Sequence, residues 1–237
     1  MHDPMQLAFD LIVEGKNKRS AATAGPTSTN TTPEAVNLPF FGHHARPFQL
    51  IDEDYENGGI GVLLALEMEM NKKLVALAFL ATRERIAYKP HLVLLPLSLV
   101  TLWATDRAPG GQILLTWLIS KAEYTMEELE EFDVVIATYE KLRYENMTLQ
   151  RNRQRFFANF EDPQFHDKPS RCDSVLPVIE WHVVVLDEAH RIANSSSDTF
   201  EAANRLQAVH KLPMTGTPFQ NEYTDIQSIM RFLRVFP

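Results

Sequence analysis

The segments of this chain best able to form strands are unbroken aliphatic runs, and that limits the folds open to it. Residues 92–95 read Leu-Val-Leu-Leu, residues 133–137 read Asp-Val-Val-Ile-Ala, and residues 183–186 read Val-Val-Val-Leu. A strand with one wet face alternates apolar and polar residues, whereas a run that is apolar at every position must be covered on both faces. Further strands are expected at residues 113–117 and 212–214, with helical stretches at residues 72–82, 125–131 and 197–210 between them. The expected fold class is therefore α/β: an open, mostly parallel sheet with helices on both faces. Such sheets bind their ligands outside the carboxyl ends of the strands.

Around that sheet the chain divides unevenly. Residues 1–14 read as a short amphipathic helix, and residues 16–39 form a Ser/Thr/Asn/Ala/Pro tract with too few large apolar side chains to offset the entropy of ordering it. Residues 1–40 are thus expected to be a helix and flexible tail, and residues 41–237 a single lobe interrupted by a polar insertion at about residues 144–177. No apolar run approaches the roughly 20 residues that span a bilayer. The amino terminus lacks the basic start and small-residue cleavage site of a secretory signal. A single cysteine, Cys172, can make no internal disulfide, which fits a reducing interior. With 23 Lys and Arg against 31 Asp and Glu the net charge is −8, so any contact with nucleic acid must be local.

The strongest chemical signal is Asp187-Glu188 at the carboxyl end of the run 183–186. Two adjacent carboxylates at a buried strand end suit a metal nucleotide: one can hold Mg²⁺ through its waters while the other takes a proton from an attacking water. Further on, Thr215-Gly216-Thr217-Pro218 closes another strand with a small, hydroxyl-rich turn able to hydrogen-bond the acidic loop beside it. A metallohydrolase built on Asp187, His190 and His182 is a remote alternative, because those residues lack metal-ligand spacing.

Together these segments resemble motifs of the Swi/Snf-type DNA-dependent ATPases of helicase superfamily two. Val184-Val185-Leu186-Asp187-Glu188-Ala189-His190-Arg191-Ile192 and Thr215-Gly216-Thr217-Pro218-Phe219-Gln220-Asn221 resemble motifs two and three. Pro96-Leu97-Ser98-Leu99 with Trp103 is similar to motif Ia, Val135 to Glu140 to motif Ib, and Arg46-Pro47-Phe48-Gln49 to the upstream adenine-sensing motif. The resemblance implies a RecA-like lobe of the P-loop NTPase type that uses ATP and Mg²⁺. It implies Asp187, through water, as the Mg²⁺ residue, with Glu188 acting on the attacking water. Gln49, Asn71, Lys72 and Lys73 would line the nucleotide. His190, Thr215, Gly216 and Thr217 would couple nucleotide to DNA, and Ser98 and Thr138 would touch the DNA backbone. Trp103 reads on its own chemistry as a packing residue. The implied setting is nuclear, with double-stranded DNA or chromatin as partner, in chromatin remodelling or DNA repair. The family's second lobe, which carries the arginine fingers, is expected to be absent from the chain and supplied, if at all, in trans.

The phosphate loop departs from this pattern. Where the family carries glycines, residues 61–73 have Glu69 and Asn71, and Lys73 stands in place of the hydroxyl that would ligand Mg²⁺. A phosphate cradle turns consecutive backbone N–H groups toward one anion, a geometry that glycine adopts without strain. Asn tolerates left-handed backbone, Glu does so less readily, and a carboxylate at ~4 Å from a phosphate costs on the order of 4 kcal/mol at an effective dielectric near 20. Leu66, Met70 and Leu74 also fit an amphipathic helix that only packs. Ala193 replaces the lysine the family usually carries after motif two. Two readings stay open: a Swi/Snf-like ATP-binding lobe with impaired binding and hydrolysis, or a catalytically dead pseudo-ATPase serving as a DNA- or protein-interaction module or left as a gene fragment. Both require Asp187 and Glu188 to share a sheet edge with Lys72.

Overall fold

The computed structural model describes residues 42–67, 70–84, 86, 89–105, 116–118, 124–158, 174–217 and 223–235. The expected helix and tail of residues 1–40, Glu69, Cys172 and the Phe219-Gln220-Asn221 segment lie outside the described residues. So do residues 113–115 of the expected second strand and residues 159–173 of the expected insertion.

Strands β1 (Leu64–Ala65), β2 (His91–Leu95), β3 (Thr116–Leu118), β4 (Val134–Thr138), β5 (Glu180–Leu186) and β6 (Gln207–Thr215) form one sheet in the order β1-β6-β5-β2-β4-β3. Every pairing is parallel. The helices are α1 (Gly42–Glu56), α2 (Lys72–Thr82), α3 (Val100–Thr105), α4 (Met126–Glu130), α5 (Tyr139–Ala158), α6 (Asp198–Asn204) and α7 (Tyr223–Phe232), with short 3₁₀ turns at Leu97–Leu99 and Ala189–Ile192.

The unbroken aliphatic runs are explained by two helical layers. Register aligns Leu92 with Val135 and Val184, and Leu94 with Ala137 and Leu186. These residues pack against Tyr139 and Leu142 of α5, Phe200 of α6 and Phe232 of α7. The intervening residues Val93, Leu95, Val134, Ile136, Val183, Val185, Leu212 and Met214 pack on the other face against Ile51 of α1, Val75 and Phe79 of α2 and Trp103 of α3. Each such buried aliphatic side chain contributes about 1.5–3 kcal/mol, so the parallel sheet is held from both sides. The α/β, mostly parallel architecture read from the sequence is the one observed.

Several boundaries differ from expectation. The helix anticipated over residues 197–210 stops at Asn204, and the last strand is longer than residues 212–214, beginning at Gln207. Its early residues pair with the start of β5, Glu180 with Gln207 and Val183 with His210, so ladder hydrogen bonds outweigh the helical continuation. The polar stretch from residue 144 is regular for half its length, because α5 runs unbroken to Ala158. Its buried face includes Glu145 and Asn146, which erase the apolar period a helix normally shows. The carboxylate of Glu145 accepts the backbone N–H groups of Val175 and Leu176 at 3.0 and 2.9 Å and the hydroxyl of Tyr124, and lies 3.2 Å from the Lys141 ammonium. One buried carboxylate thereby fixes the returning chain to α5. At α4, Thr125 and Glu128 make a reciprocal capping box.

Candidate functional site

Because all strands are parallel, the segments leaving β1, β6, β5, β2 and β4 emerge at one edge of the sheet. They are the loop from Leu66 to Asn71, the turn Thr215-Gly216-Thr217, the pair Asp187-Glu188, the 3₁₀ turn Leu97–Leu99, and Thr138. The acidic strand end and Lys72 share this edge, with β6 standing between β1 and β5, and the charge of Lys72 acts on the Asp187 carboxyl.

The loop is built around a close backbone approach. Gly61 has φ of 154° and bridges Lys211, and a Cβ there would fall 2.0 Å from the Lys211 carbonyl oxygen. At the loop's far end Asn71 takes the left-handed conformation, φ 49° and ψ 42°, and its carbonyl accepts the Leu74 N–H at 2.8 Å. The turn into α2 thus keeps a glycine-like backbone without a glycine, as the tolerance of Asn allows. The two lysines that follow are engaged by the protein. Lys72 donates its ammonium to the carbonyls of Leu66 and Glu67, each at 3.0 Å. Lys73 reaches the Leu102 carbonyl on α3 at 2.9 Å.

The acidic end is held tightly. Asp187 is buried; its Oδ2 accepts the indole N–H of Trp103 at 2.7 Å and its Oδ1 the backbone N–H of Glu188 at 3.0 Å. Its carbonyl accepts the buried Tyr139 hydroxyl at 2.8 Å. Burial pushes the Asp187 carboxyl above its ordinary value, while the Trp103 bond and the Lys72 charge oppose the shift. Burial, then the Asp187 charge, drives the Tyr139 phenol well above its usual range, so it stays a donor. Glu188 sits at φ 55°, a left-handed backbone that costs a non-glycine residue on the order of 1–3 kcal/mol and concentrates at functional sites. Its carboxylate lies 3.1 Å from Nδ1 of His190.

The other residues singled out in the sequence are placed as follows. Thr215 is buried and its hydroxyl oxygen accepts the Thr217 N–H at 3.1 Å, with Gly216 at the bend between them. Ser98 is exposed in the 3₁₀ turn after β2. The Thr138 hydroxyl oxygen accepts the Lys141 N–H at 3.1 Å and so caps α5. Gln49 lies on the exposed side of α1, its amide accepting from Arg46 at 3.1 Å and donating to Glu53 at 2.6 Å. The fold therefore gathers Asp187, Glu188, His190, Lys72 and the Thr215 turn, and leaves Gln49 bonded along its own helix. On the sequence alone Trp103 reads as a packing residue. The one signal for its second role is general: a buried indole N–H requires an acceptor.

The residues present fit a Mg²⁺–nucleotide complex only in part. Each oxygen of Asp187 accepts one N–H and keeps acceptor capacity for a metal-bound water, whereas Lys73 brings an ammonium, held by the Leu102 carbonyl, where the family has a hydroxyl. Among the described residues no group of three or more His, Cys, Asp or Glu side chains is disposed to hold a metal.

A parallel α/β lobe with an acidic pair and a lysine-bearing loop at one carboxyl edge belongs to the RecA-like class of nucleotide folds. The SNF2-related domain matches residues 46–237, and the chain belongs to that family. It is 28% identical over 222 residues to an uncharacterized ATP-dependent helicase of Schizosaccharomyces pombe, covering 90% of this chain and 21% of that protein. It is 28% identical over 184 residues to a CHD3-type chromatin-remodeling factor of Arabidopsis thaliana, covering 73% of this chain and 13% of the relative. The DNA repair protein RAD5A of the same plant is 30% identical over 151 residues, which cover 62% of this chain and 13% of that protein. Among solved structures, the Sulfolobus solfataricus SWI2/SNF2 ATPase core in complex with dsDNA has the same fold, with a TM-score of 0.59 and 22% identity over 86% of this chain and 38% of that one. The chain thus spans about a fifth or less of the curated relatives it matches. It is a partial SNF2 ATPase lobe. No described helix is long and apolar enough to cross a membrane.

Proposed function

We propose that this chain is the ATP-binding lobe of a Swi/Snf-like DNA-dependent ATPase, of the remodelling or repair-translocase kind, in which Mg²⁺–ATP binding and hydrolysis are impaired. The observation that carries this reading is the state of the loop lysines. Lys72 donates to the carbonyls of Leu66 and Glu67, and Lys73 donates to that of Leu102. An incoming phosphate would have to break both Lys72 bonds and would gain no glycine-supplied N–H cradle in return. Asp187 and Glu188 retain the positions of metal and water residues, and His190, Thr215, Gly216 and Thr217 those of coupling residues. Ser98 and Thr138 stand at strand ends where a phosphate backbone would be met, and Gln49 would have to release Arg46 and Glu53 to read a base. Double-stranded DNA or chromatin is the partner this reading assigns, the nucleus its setting, and a second lobe acting in trans the source of any missing catalytic groups.

Binding of a fluorescent ATP analogue with Mg²⁺ tests the reading in three chains: the parent, Lys72→Ala, and Glu69→Gly/Asn71→Gly. Weak or absent binding by the parent is expected, with at least a recovery of about tenfold, or ~1.4 kcal/mol, in the double glycine variant. No DNA-stimulated hydrolysis by the isolated chain is expected, and measurable turnover would overturn the proposal. Parent binding that Lys72→Ala abolishes would favour this reading, whereas no parent binding, with recovery in the double glycine variant, would favour the second, a pseudo-ATPase kept as a DNA- or protein-interaction module, which the same lysine contacts support.

A further inference from the structure

The short helix α3 meets the candidate site at two points: Trp103 bonds Asp187, and the Leu102 carbonyl receives Lys73. The first contact is of a different grade from the second. Trp103 and Asp187 are both buried, and the bond joins an N–H donor to a carboxylate at 2.7 Å, within the range of charge-assisted bonds. A tryptophan that served only to fill space would need some acceptor for its N–H. Here the acceptor is the carboxylate at the end of β5, 84 residues away in sequence. The other oxygen of that carboxylate takes the N–H of Glu188, which holds the strained left-handed turn. Indole, carboxylate and turn form one chain of contacts.

We propose that Trp103 is a positioning residue for the acidic pair: its indole N–H fixes the Asp187 carboxylate in one rotamer, and that carboxylate in turn holds the backbone of Glu188 in its left-handed turn. Calling the pair the metal and water residues rests on the functional reading above; the positioning itself does not. Because α3 follows directly from the 3₁₀ turn that bears Ser98, the same bond ties that turn to the acidic strand end.

The test needs no nucleotide, so failure of ATP binding leaves it untouched. In nitrogen-15-labelled whole chain at pH 7.5, the Trp103 indole resonance is identified by its loss in Trp103→Phe, a change that keeps an aromatic ring and removes the donor. Asp187→Asn should shift that indole resonance upfield and leave the Trp181 indole in place, since Trp181 donates to the Leu176 carbonyl. Trp103→Phe should accelerate hydrogen exchange at the Glu188 amide roughly tenfold or more, about 1.4 kcal/mol, beyond any change in core amides. A Trp103→Leu chain should match Trp103→Phe at the Glu188 amide if the donor matters, even where it loses more overall stability. An unmoved Trp103 indole in Asp187→Asn, or an unchanged Glu188 amide in Trp103→Phe, would overturn the proposal.

Discussion

Lowering the pH from 7.5 to 5.0 is expected to remove about 4 kcal/mol of folding stability through two histidines at the edge of the sheet remote from the candidate site. His91 opens β2 and His182 lies in β5; both are buried, and their rings stack with centroids 4.8 Å apart. Above them the Tyr55 hydroxyl meets His182 Nε2 at 2.6 Å, and the Arg83 guanidinium lies 4.6 Å over the Tyr55 ring. Burial first, then the charges of His182 and Arg83, lowers the His91 pKa to about 3, and burial with Arg83 and Lys89 lowers His182 to about 4. His210, 3.8 Å from Asp54, is lowered in the same direction by burial. With the folded pKa below the unfolded value near 6.5, the unfolded chain takes up protons first, so stability falls as pH drops through 6.5 and continues to fall toward about 4. At pH 5.0 each imidazole held neutral costs RT ln(1 + 10^1.5), about 2 kcal/mol, and two cost about 4, against a typical total of roughly 5–15 kcal/mol. Asp187, raised by burial, works in the opposite sense and trims the net loss. Urea denaturation followed by tryptophan fluorescence at pH 7.5, 6.5, 5.5 and 5.0 measures the effect. His91→Phe should remove about 2 kcal/mol of the pH dependence. A flat profile between pH 7.5 and 5.0, or an unaltered slope in the variant, would refute the reasoning.

Two further outcomes follow from close contacts. Gly61→Ala places a methyl group against the Lys211 backbone, which cannot swing aside, so a loss of about 3 kcal/mol or more is expected by urea denaturation; a loss below ~1 kcal/mol would mean that β1 and β6 separate freely. Glu145→Ala strands the Val175 and Leu176 N–H groups and removes the ion pair with Lys141, with an expected cost of about 3–5 kcal/mol by urea denaturation; a loss below ~1 kcal/mol would mean that this carboxylate does not fix the returning chain.

What the sequence made legible was whatever depends on one face of one element. Residues 92–95, 134–137 and 183–186 are apolar throughout because the sheet is covered twice, and that alone placed Asp187 at a carboxyl edge. What stayed hidden depends on partners remote in sequence. β6 reads poorly as a strand because it contains His210 and Lys211, yet Lys211 is buried, donating to the Phe232 carbonyl at 2.8 Å with its ammonium 4.3 Å over that ring. α5 reads as irregular because Glu145 is inside, and the two backbone N–H groups that satisfy it lie 30 and 31 residues away. Trp103 reads as packing until its acceptor appears. At Lys211 and Glu145 a buried polar group broke the hydrophobic period, and for these as for the Trp103 indole the compensating partner could be seen only in three dimensions.

The same separation explains how a lobe of this kind can change at its sheet edge and keep its fold. The two apolar layers are built from the middles of strands and the inner faces of helices, whereas the residues of the candidate site lie at strand ends and in the loop between β1 and α2. Replacing the loop glycines removes no core side chain. Asn71 still supplies the left-handed residue that lets α2 begin, and the Lys72 ammonium satisfies the Leu66 and Glu67 carbonyls from within the protein. Asp187 in turn is satisfied by Trp103 and the Glu188 amide. Among the described residues, Asn71, Lys72 and Asp187 thus each have partners within the chain, so an anion that enters must compete with bonds already made.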